Sequence, residues 1–137
     1  MKISDIMTRN LVTVHVDDTV EQLQDLFKQH GFRHVLVVAL GTLVGVISDR
    51  DVLKNSSPFL GNAFRERPTD RALLNRRAHQ IMTRKLIATT SDTPVQEAIG
   101  LMLDHHISCL PVVDDRKRPI GIVTSRDLLR ALMAVAS

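Results

Sequence analysis

Apolar and polar residues follow three successive patterns in the first third of the chain. Residues 11–16 alternate between apolar and polar types, which predicts a strand with one face on a core. The apolar positions then take helical spacing and fall on one face, at Val20, Leu23, Phe27 and His30, with Leu26 beside them. Continuous apolar runs follow at 35–38 and 43–47, and we expect the first of these to be a strand covered on both faces.

The same order of patterns occurs a second time. Residues 6–38 overlie residues 81–113 when the chain is displaced by 75 positions, and 11 of these 33 pairs are identical. The second copy has a weaker strand at Leu86–Thr89, a helical pattern from Pro94, and apolar runs at 110–113 and 120–123. A unit of about 50 residues cannot bury a sheet face and two amphipathic helices alone. We therefore expect an α+β fold of two β-α-β-β-α units, related by a pseudo-twofold axis and packed sheet to sheet.

The starts of the first long helix in each copy carry N-capping signals. In the second copy these predict Thr93 as the N-cap, Pro94 as the first helical residue and Gln96 as the closing residue of a capping box. The corresponding residues in the first copy are Asp18, Thr19 and Glu21.

A seven-residue motif precedes the last helix of each copy, at residues 45–51 and 121–127. It consists of glycine, two β-branched residues, a hydroxyl residue, a variable residue, arginine and aspartate. The pattern predicts a strand that turns directly into a helix, with the hydroxyl and the carboxylate on the first helical turn. Unpaired N–H groups at such a turn can meet a phosphate. The same spacing is also that of a capping box, so a binding role and a structural role both stay open.

The segment between the copies, 55–78, is predicted to be a linker with a short helix. Thr69 is the expected cap of that helix, which would end near Ala78. Several arginines make this region a candidate surface for an anionic partner, or simply a solvated connection: Arg65, Arg67, Arg71, Arg76 and Arg77. We therefore expect units at 1–54 and 79–137.

Composition narrows the possible function classes. The net charge is only +3 and aromatic residues make up 3% of the chain, so aromatic stacking on nucleic-acid bases is not expected. No signal peptide is recognised at the start, and the longest uncharged stretch, 35–48, is too short to cross a bilayer. These features predict a soluble, cytoplasmic protein. The single cysteine, Cys109, is expected to be a buried thiol rather than a nucleophile activated by His105 or His106.

No motif of a known catalytic or metal site is present. The adjacent histidines His105 and His106 lack the helical spacing of metal ligands. The acidic pairs at 17–18 and 114–115 suit caps and turns better than acid–base chemistry. We expect no catalysis, no metal and no required cofactor.

The duplicated motifs resemble those of a tandem pair of CBS domains, named after cystathionine β-synthase. The resemblance rests on Ile-Met-Thr-Arg at 6–9 and 81–84, on Val-Val at 37–38 and 112–113, and on Gly-x-x-Ser/Thr-x-x-Asp. It implies a regulatory module that binds AMP, ADP, ATP or S-adenosylmethionine in clefts between the units.

The resemblance also implies roles for particular residues. Asp51 and Asp127 would accept the ribose hydroxyls, and Ser48 and Thr124 would contact ribose or phosphate. The positions implied to line the base pocket or to reach phosphate are Val12, Ile87 and Pro111 for the base, and Arg50 and Arg126 for phosphate. Leu36 takes the place of Pro111 in the first copy.

The predicted mechanism is a population shift, in which a bound nucleotide favours one arrangement of the units and alters a surface for a partner protein. The apolar last helix, with residues 131–136 at its end, also predicts a homodimer. Two alternatives stay open, a structural or protein-interaction module that binds no ligand, and a protein that binds nucleic acid through its arginine-rich linker. The identity of the nucleotide, the number of sites used and the regulated partner are not determined by the sequence.

Overall fold

A computed structural model describes residues 1–56 and 68–136. Its helices and strands, in chain order, are α1 (Ile3–Ile6), β1 (Thr13–His15), α2 (Val20–His30), β2 (His34–Ala39), β3 (Thr42–Ser48), α3 (Asp49–Lys54), α4 (Pro68–Leu74), α5 (Ala78–Ile81), α6 (Val95–His105), β4 (Cys109–Val113), β5 (Pro119–Thr124) and α7 (Ser125–Ala136). The mixed α+β class is confirmed, and the two copies share the same order of elements except that only the first copy has a strand, β1, before its long helix.

The chain forms two compact units, and these do not coincide with the two sequence copies. Unit 1 contains residues 1–12, 40–43 and 86–137, and unit 2 contains residues 13–39 and 44–85. The opening segment of each copy, 1–12 or 78–85, therefore belongs to the unit built mainly from the other copy. The boundaries expected from the repeat, 1–54 and 79–137, remain a prediction about the sequence units.

Unit 1 is built on the antiparallel pair β4–β5, in which Leu110 lies opposite Val123. The opening segment adds a short antiparallel bridge to this pair. The N–H of Thr8 donates to the carbonyl of Ile122 at 2.8 Å, and the N–H of Ile122 donates to the carbonyl of Thr8 at 3.0 Å. Its core consists of aliphatic side chains and two methionines: Ile3, Met7, Val95, Ala98, Met102, Leu110, Val112 and Val123.

Unit 2 is built on a three-stranded sheet in the order β1-β2-β3, with β1 parallel to β2. Residues 35–37 of β2 are fully buried, which confirms the strand covered on both faces. Thr83 forms the bridge that corresponds to that of Thr8. Its N–H donates to the carbonyl of Val46 at 2.9 Å, and the N–H of Val46 donates back at 3.2 Å.

The predicted helix starts are wrong by one residue. The N-cap of α2 is Thr19, whose hydroxyl accepts from the Gln22 N–H at 3.3 Å, because the Asp18 carboxylate accepts instead from the His15 N–H. Pro94 is the N-cap of α6 and makes no side-chain capping bond.

Thr93 is not a cap, because its hydroxyl is held by Thr90 at 2.9 Å. The second predicted strand, Leu86–Thr89, is also wrong, since the chain makes only an isolated bridge between Thr89 and Val112 there.

The connecting segment also differs from the prediction. Helix α4 begins at Pro68, so Thr69 lies inside the helix rather than at its cap, and Ala78 begins the separate helix α5. Arg65 and Arg67 lie outside the described residues. Arg76 donates to the Asn55 side chain at 2.7 Å, and Arg77 donates to the Asp17 carbonyl at 2.7 Å. These two arginines therefore make hydrogen bonds within unit 2, and a role of the connecting segment as a surface for an anionic partner stays a prediction.

Candidate functional site

The first motif forms a capping box between β3 and α3. The Asp51 carboxylate accepts the Ser48 N–H at 2.8 Å through Oδ2, and the Ser48 hydroxyl oxygen accepts the Asp51 N–H at 3.2 Å. Both side chains are half-buried. Within the described residues, Oδ1 of Asp51 accepts no hydrogen bond and the Ser48 hydroxyl donates none. One acceptor and one donor of this turn are therefore available.

The second motif forms the same box, with further bonds. Oδ2 of Asp127 accepts the Thr124 N–H at 2.9 Å and the Thr124 hydroxyl at 3.1 Å. The Thr8 hydroxyl donates to Oδ1 at 3.2 Å, and Arg130 lies 3.9 Å from the same oxygen. Asp127 is only 7% exposed. Both of its carboxylate oxygens are therefore engaged by the protein itself.

The first residue of the neighbouring strand lies near the motif aspartate in each unit. The Asp49 N–H donates to the Arg33 carbonyl at 2.9 Å, and the Ser125 N–H donates to the Ser108 carbonyl at 3.0 Å. These bonds bring the residue after each carbonyl to the turn, which is His34 in unit 2 and Cys109 in unit 1. The two turns thus have different neighbours, an imidazole in one and a thiol in the other.

Cys109 is not an activated nucleophile. Burial, together with the nearby charge of Asp127, raises the pKa of its thiol to about 12. The thiol therefore stays protonated at neutral pH, and only the thiolate is strongly nucleophilic. The expectation of a buried thiol is confirmed.

Burial lowers the pKa of His34 below its ordinary value of 6.5. Asp49 and Asp51 oppose this shift, and Arg33 adds to it. The unfolded chain therefore binds this proton at a higher pH than the folded chain does. As a result, the free energy of unfolding decreases as the pH falls from about 7 towards the folded-state pKa, and the contribution of His34 stays constant below that pKa.

We expect His34→Asn to flatten the pH dependence of the melting temperature between about pH 7 and pH 5. An unchanged curve for His34→Asn would contradict this assignment.

The glycine that opens each motif is in close contact with a methionine from an opening segment. A Cβ atom at Gly45 would lie 2.4 Å from the Met82 sulfur, and one at Gly121 would lie 2.6 Å from the Met7 sulfur. The sequence shows both residues as parts of the repeat but gives no sign that they touch. An alanine at either position would therefore have to displace the methionine side chain.

The other predicted site residues lie in three settings. Pro111 is fully buried in β4, while Val12 and Ile87 are half-buried, and Ile87 packs against the core of unit 1. Arg50 and Arg126 are exposed, and neither guanidinium has a partner within the described part of the chain. A role for these five residues in binding a base or a phosphate stays a prediction.

Two further features bear on function. No group of three or more potential metal-ligating side chains (His, Cys, Asp or Glu) occurs among residues 1–56 and 68–136. Within these same ranges, no helix has the length and apolar character needed to cross a membrane.

Comparison with known proteins gives close likenesses over nearly the whole chain. The uncharacterised protein MJ1426 of Methanocaldococcus jannaschii is 32% identical, over 97% of this chain and 92% of that protein. Other curated relatives are longer, and the chain spans only 44% and 46% of the uncharacterised proteins MJ0188 and MJ1225 of the same organism.

Comparison with solved structures also gives likenesses over nearly the whole chain. The CBS domain pair of protein MJ0100, in complex with 5′-methylthioadenosine and S-adenosyl-L-methionine, is 29% identical with a TM-score of 0.80, over 98% of both chains. CBSX2 in complex with AMP is 26% identical with a TM-score of 0.82, over 99% of this chain and 98% of that one. The family model for the CBS domain matches residues 3–57 and again residues 78–134. The chain therefore belongs to the CBS-domain family.

Proposed function

We propose that this chain is a regulatory module that binds an adenosine-type ligand at the turn formed by Ser48 and Asp51. The observation that carries the proposal is the pair of polar atoms left over after capping, Oδ1 of Asp51 and the hydroxyl proton of Ser48. A ribose presents two neighbouring hydroxyl groups that can donate to a carboxylate and can also accept from a hydroxyl. Hydrogen bonds to an ionised carboxylate are about twice as strong as those between neutral groups.

The chemistry of the relatives' ligands supports this choice. The ligands named with the two solved CBS structures, 5′-methylthioadenosine, S-adenosyl-L-methionine and AMP, all contain adenosine. A site that recognises the ribose through Asp51 would accept any of them. The exposed guanidinium of Arg50, next to Asp51, would then favour ligands that carry a phosphate.

The module would act on a partner through its own conformational equilibrium. A ligand that binds one conformation more tightly shifts the population towards it. A second copy of this chain is one such partner. Helix α7 presents Leu129, Leu132, Met133 and Val135 at 61–72% exposure, and an apolar helix face of this kind suits a homodimer.

AMP should raise the melting temperature of the purified protein, because a ligand that binds only the folded state stabilises it by about 2.7 kcal/mol at a concentration 100 times its Kd. Asp51→Asn should weaken binding at least about tenfold, since it replaces the charged acceptor. Asp49→Asn is the matched control, as it removes the same charge from the same turn and should preserve the shift. The measurement is thermal unfolding with AMP and with S-adenosyl-L-methionine up to the millimolar range.

The competing function is a structural or protein-interaction module without a ligand. It is favoured by the completed capping boxes at both turns, which account for the motif without any binding partner. The absence of any thermal shift with either ligand would support that function. If AMP raised the melting temperature of Asp51→Asn as much as that of the wild type, the ligand would bind somewhere other than this turn.

A further inference from the structure

The two motif turns differ in what the opening segment does to them. In unit 1, the bridge between Thr8 and Ile122 places the Thr8 side chain beside α7. Its hydroxyl lies 3.2 Å from Oδ1 and 3.4 Å from Oδ2 of Asp127, so it donates to a buried carboxylate. This bond joins residues that are 119 positions apart in the sequence.

Unit 2 has the same parts without this bond. Thr83 corresponds to Thr8 in the repeat and forms the same kind of bridge, with Val46. Its hydroxyl makes no hydrogen bond to Asp51, whose bonds within the described residues are those of the capping box. The chain therefore contains its own matched comparison, in which one threonine reaches the aspartate and the other does not.

The surroundings of Asp127 reinforce the difference. Its two oxygens accept from the Thr124 N–H, the Thr124 hydroxyl and the Thr8 hydroxyl, with Arg130 nearby. A ribose could reach this carboxylate only if the surrounding groups moved aside, because the side chain is now 7% exposed. Any buried polar group that this movement left without a partner would cost free energy.

We infer that the chain takes up one adenosine-type ligand, at Asp51, and that Asp127 serves instead to fasten the opening segment to α7 through Thr8. The inference rests on the proposed function for its ligand, but not for the role of Thr8. The two copies of the motif would then have divided the two roles that the motif allows, binding in one unit and structural support in the other.

The role of Thr8 can be tested without any ligand. Thr8→Val should lower the melting temperature by about 5–10 °C, as expected for a lost hydrogen bond to a buried charge in a protein of this size. The matched variant Thr83→Val should change it by less than about 1 °C. In an Asp127→Asn background, Thr8→Val should have little further effect, because bonded residues show non-additive changes. Equal losses for the two threonine variants, or full additivity with Asp127→Asn, would overturn the inference.

The stoichiometry is measured by isothermal titration with AMP. We expect one site per wild-type chain, at least a tenfold loss of affinity in Asp51→Asn, and affinity within about twofold of wild type in Asp127→Asn. Thr8→Val should likewise keep the wild-type affinity, and it replaces Asp127→Asn if that variant does not fold.

Two sites per chain, or binding that depends on Asp127 and not on Asp51, would overturn the division of roles. If AMP and S-adenosyl-L-methionine both fail to bind the wild type, the proposed function fails and the single-site inference fails with it. The threonine variants would still decide the role of Thr8.

Discussion

Gly45→Ala is expected to lower the free energy of unfolding by about 1–3 kcal/mol, the usual cost of forcing extra volume into a packed site. The added Cβ would lie 2.4 Å from the sulfur of Met82, 2.8 Å from its Cγ and 3.0 Å from its Cβ. The last of these atoms cannot move away by a rotation of the side chain. The backbone next to it is also fixed, because Thr83 is bonded in both directions to Val46.

Urea unfolding measures this loss, and two further variants serve as controls. Gly100→Ala introduces the same methyl group on α6, where nothing lies within 4 Å. It should stabilise the protein by about 0.5–1 kcal/mol, because alanine favours a helix interior. Gly45→Ala combined with Met82→Ala should lose less stability than the sum of the two single variants. If Gly45→Ala is as stable as the wild type, contact with Met82 is not the reason that glycine occupies position 45.

Leu132→Glu is expected to convert the proposed homodimer into a monomer at micromolar concentration. A charge buried in an apolar interface without a partner weakens association by about 100-fold or more, or roughly 3 kcal/mol. Leu132 lies near the middle of the exposed apolar face of α7 and is 64% exposed. The side chains that join α7 to its own unit, Leu128 and Asp127, are separate from this face, so the fold itself should be retained.

Analytical ultracentrifugation of both forms is the measurement. Leu40→Glu is the matched control, since Leu40 is fully exposed in the connection between β2 and β3 and should tolerate the charge without dissociation. If the wild-type protein sediments as a monomer, the proposed homodimer is wrong. A dimer that survives Leu132→Glu would place the interface on another surface.

The sequence predicted best what depends on short-range pattern. The apolar run 35–38 proved to be a strand with a buried centre, and the Ser48 and Thr124 turns proved to be true strand-to-helix turns. Pattern alone was less reliable at the ends of elements. There, single hydrogen bonds such as that between Asp18 and His15 decide which neighbouring polar residue becomes the cap.

The sequence could not predict features that depend on which copy supplies which segment. An internal repeat shows that residues 1–12 and 78–85 are equivalent, but either segment could in principle join either unit. The contact between Gly45 and Met82, and the bond from Thr8 to Asp127, both follow from the pairing that the structure adopts. The two motifs have the same pattern, so the sequence does not show that Asp127 is bonded to Thr8 while Asp51 has no such bond.

The placement of residues 1–12 has a consequence for biosynthesis. During translation these residues are made well before their packing partners on β5 and α7, since 119 positions separate Thr8 from Asp127. Newly made Ile3 and Met7 therefore lack these partners until β5 and α7 have also been synthesised. Throughout that interval, these two residues are a natural binding site for a chaperone.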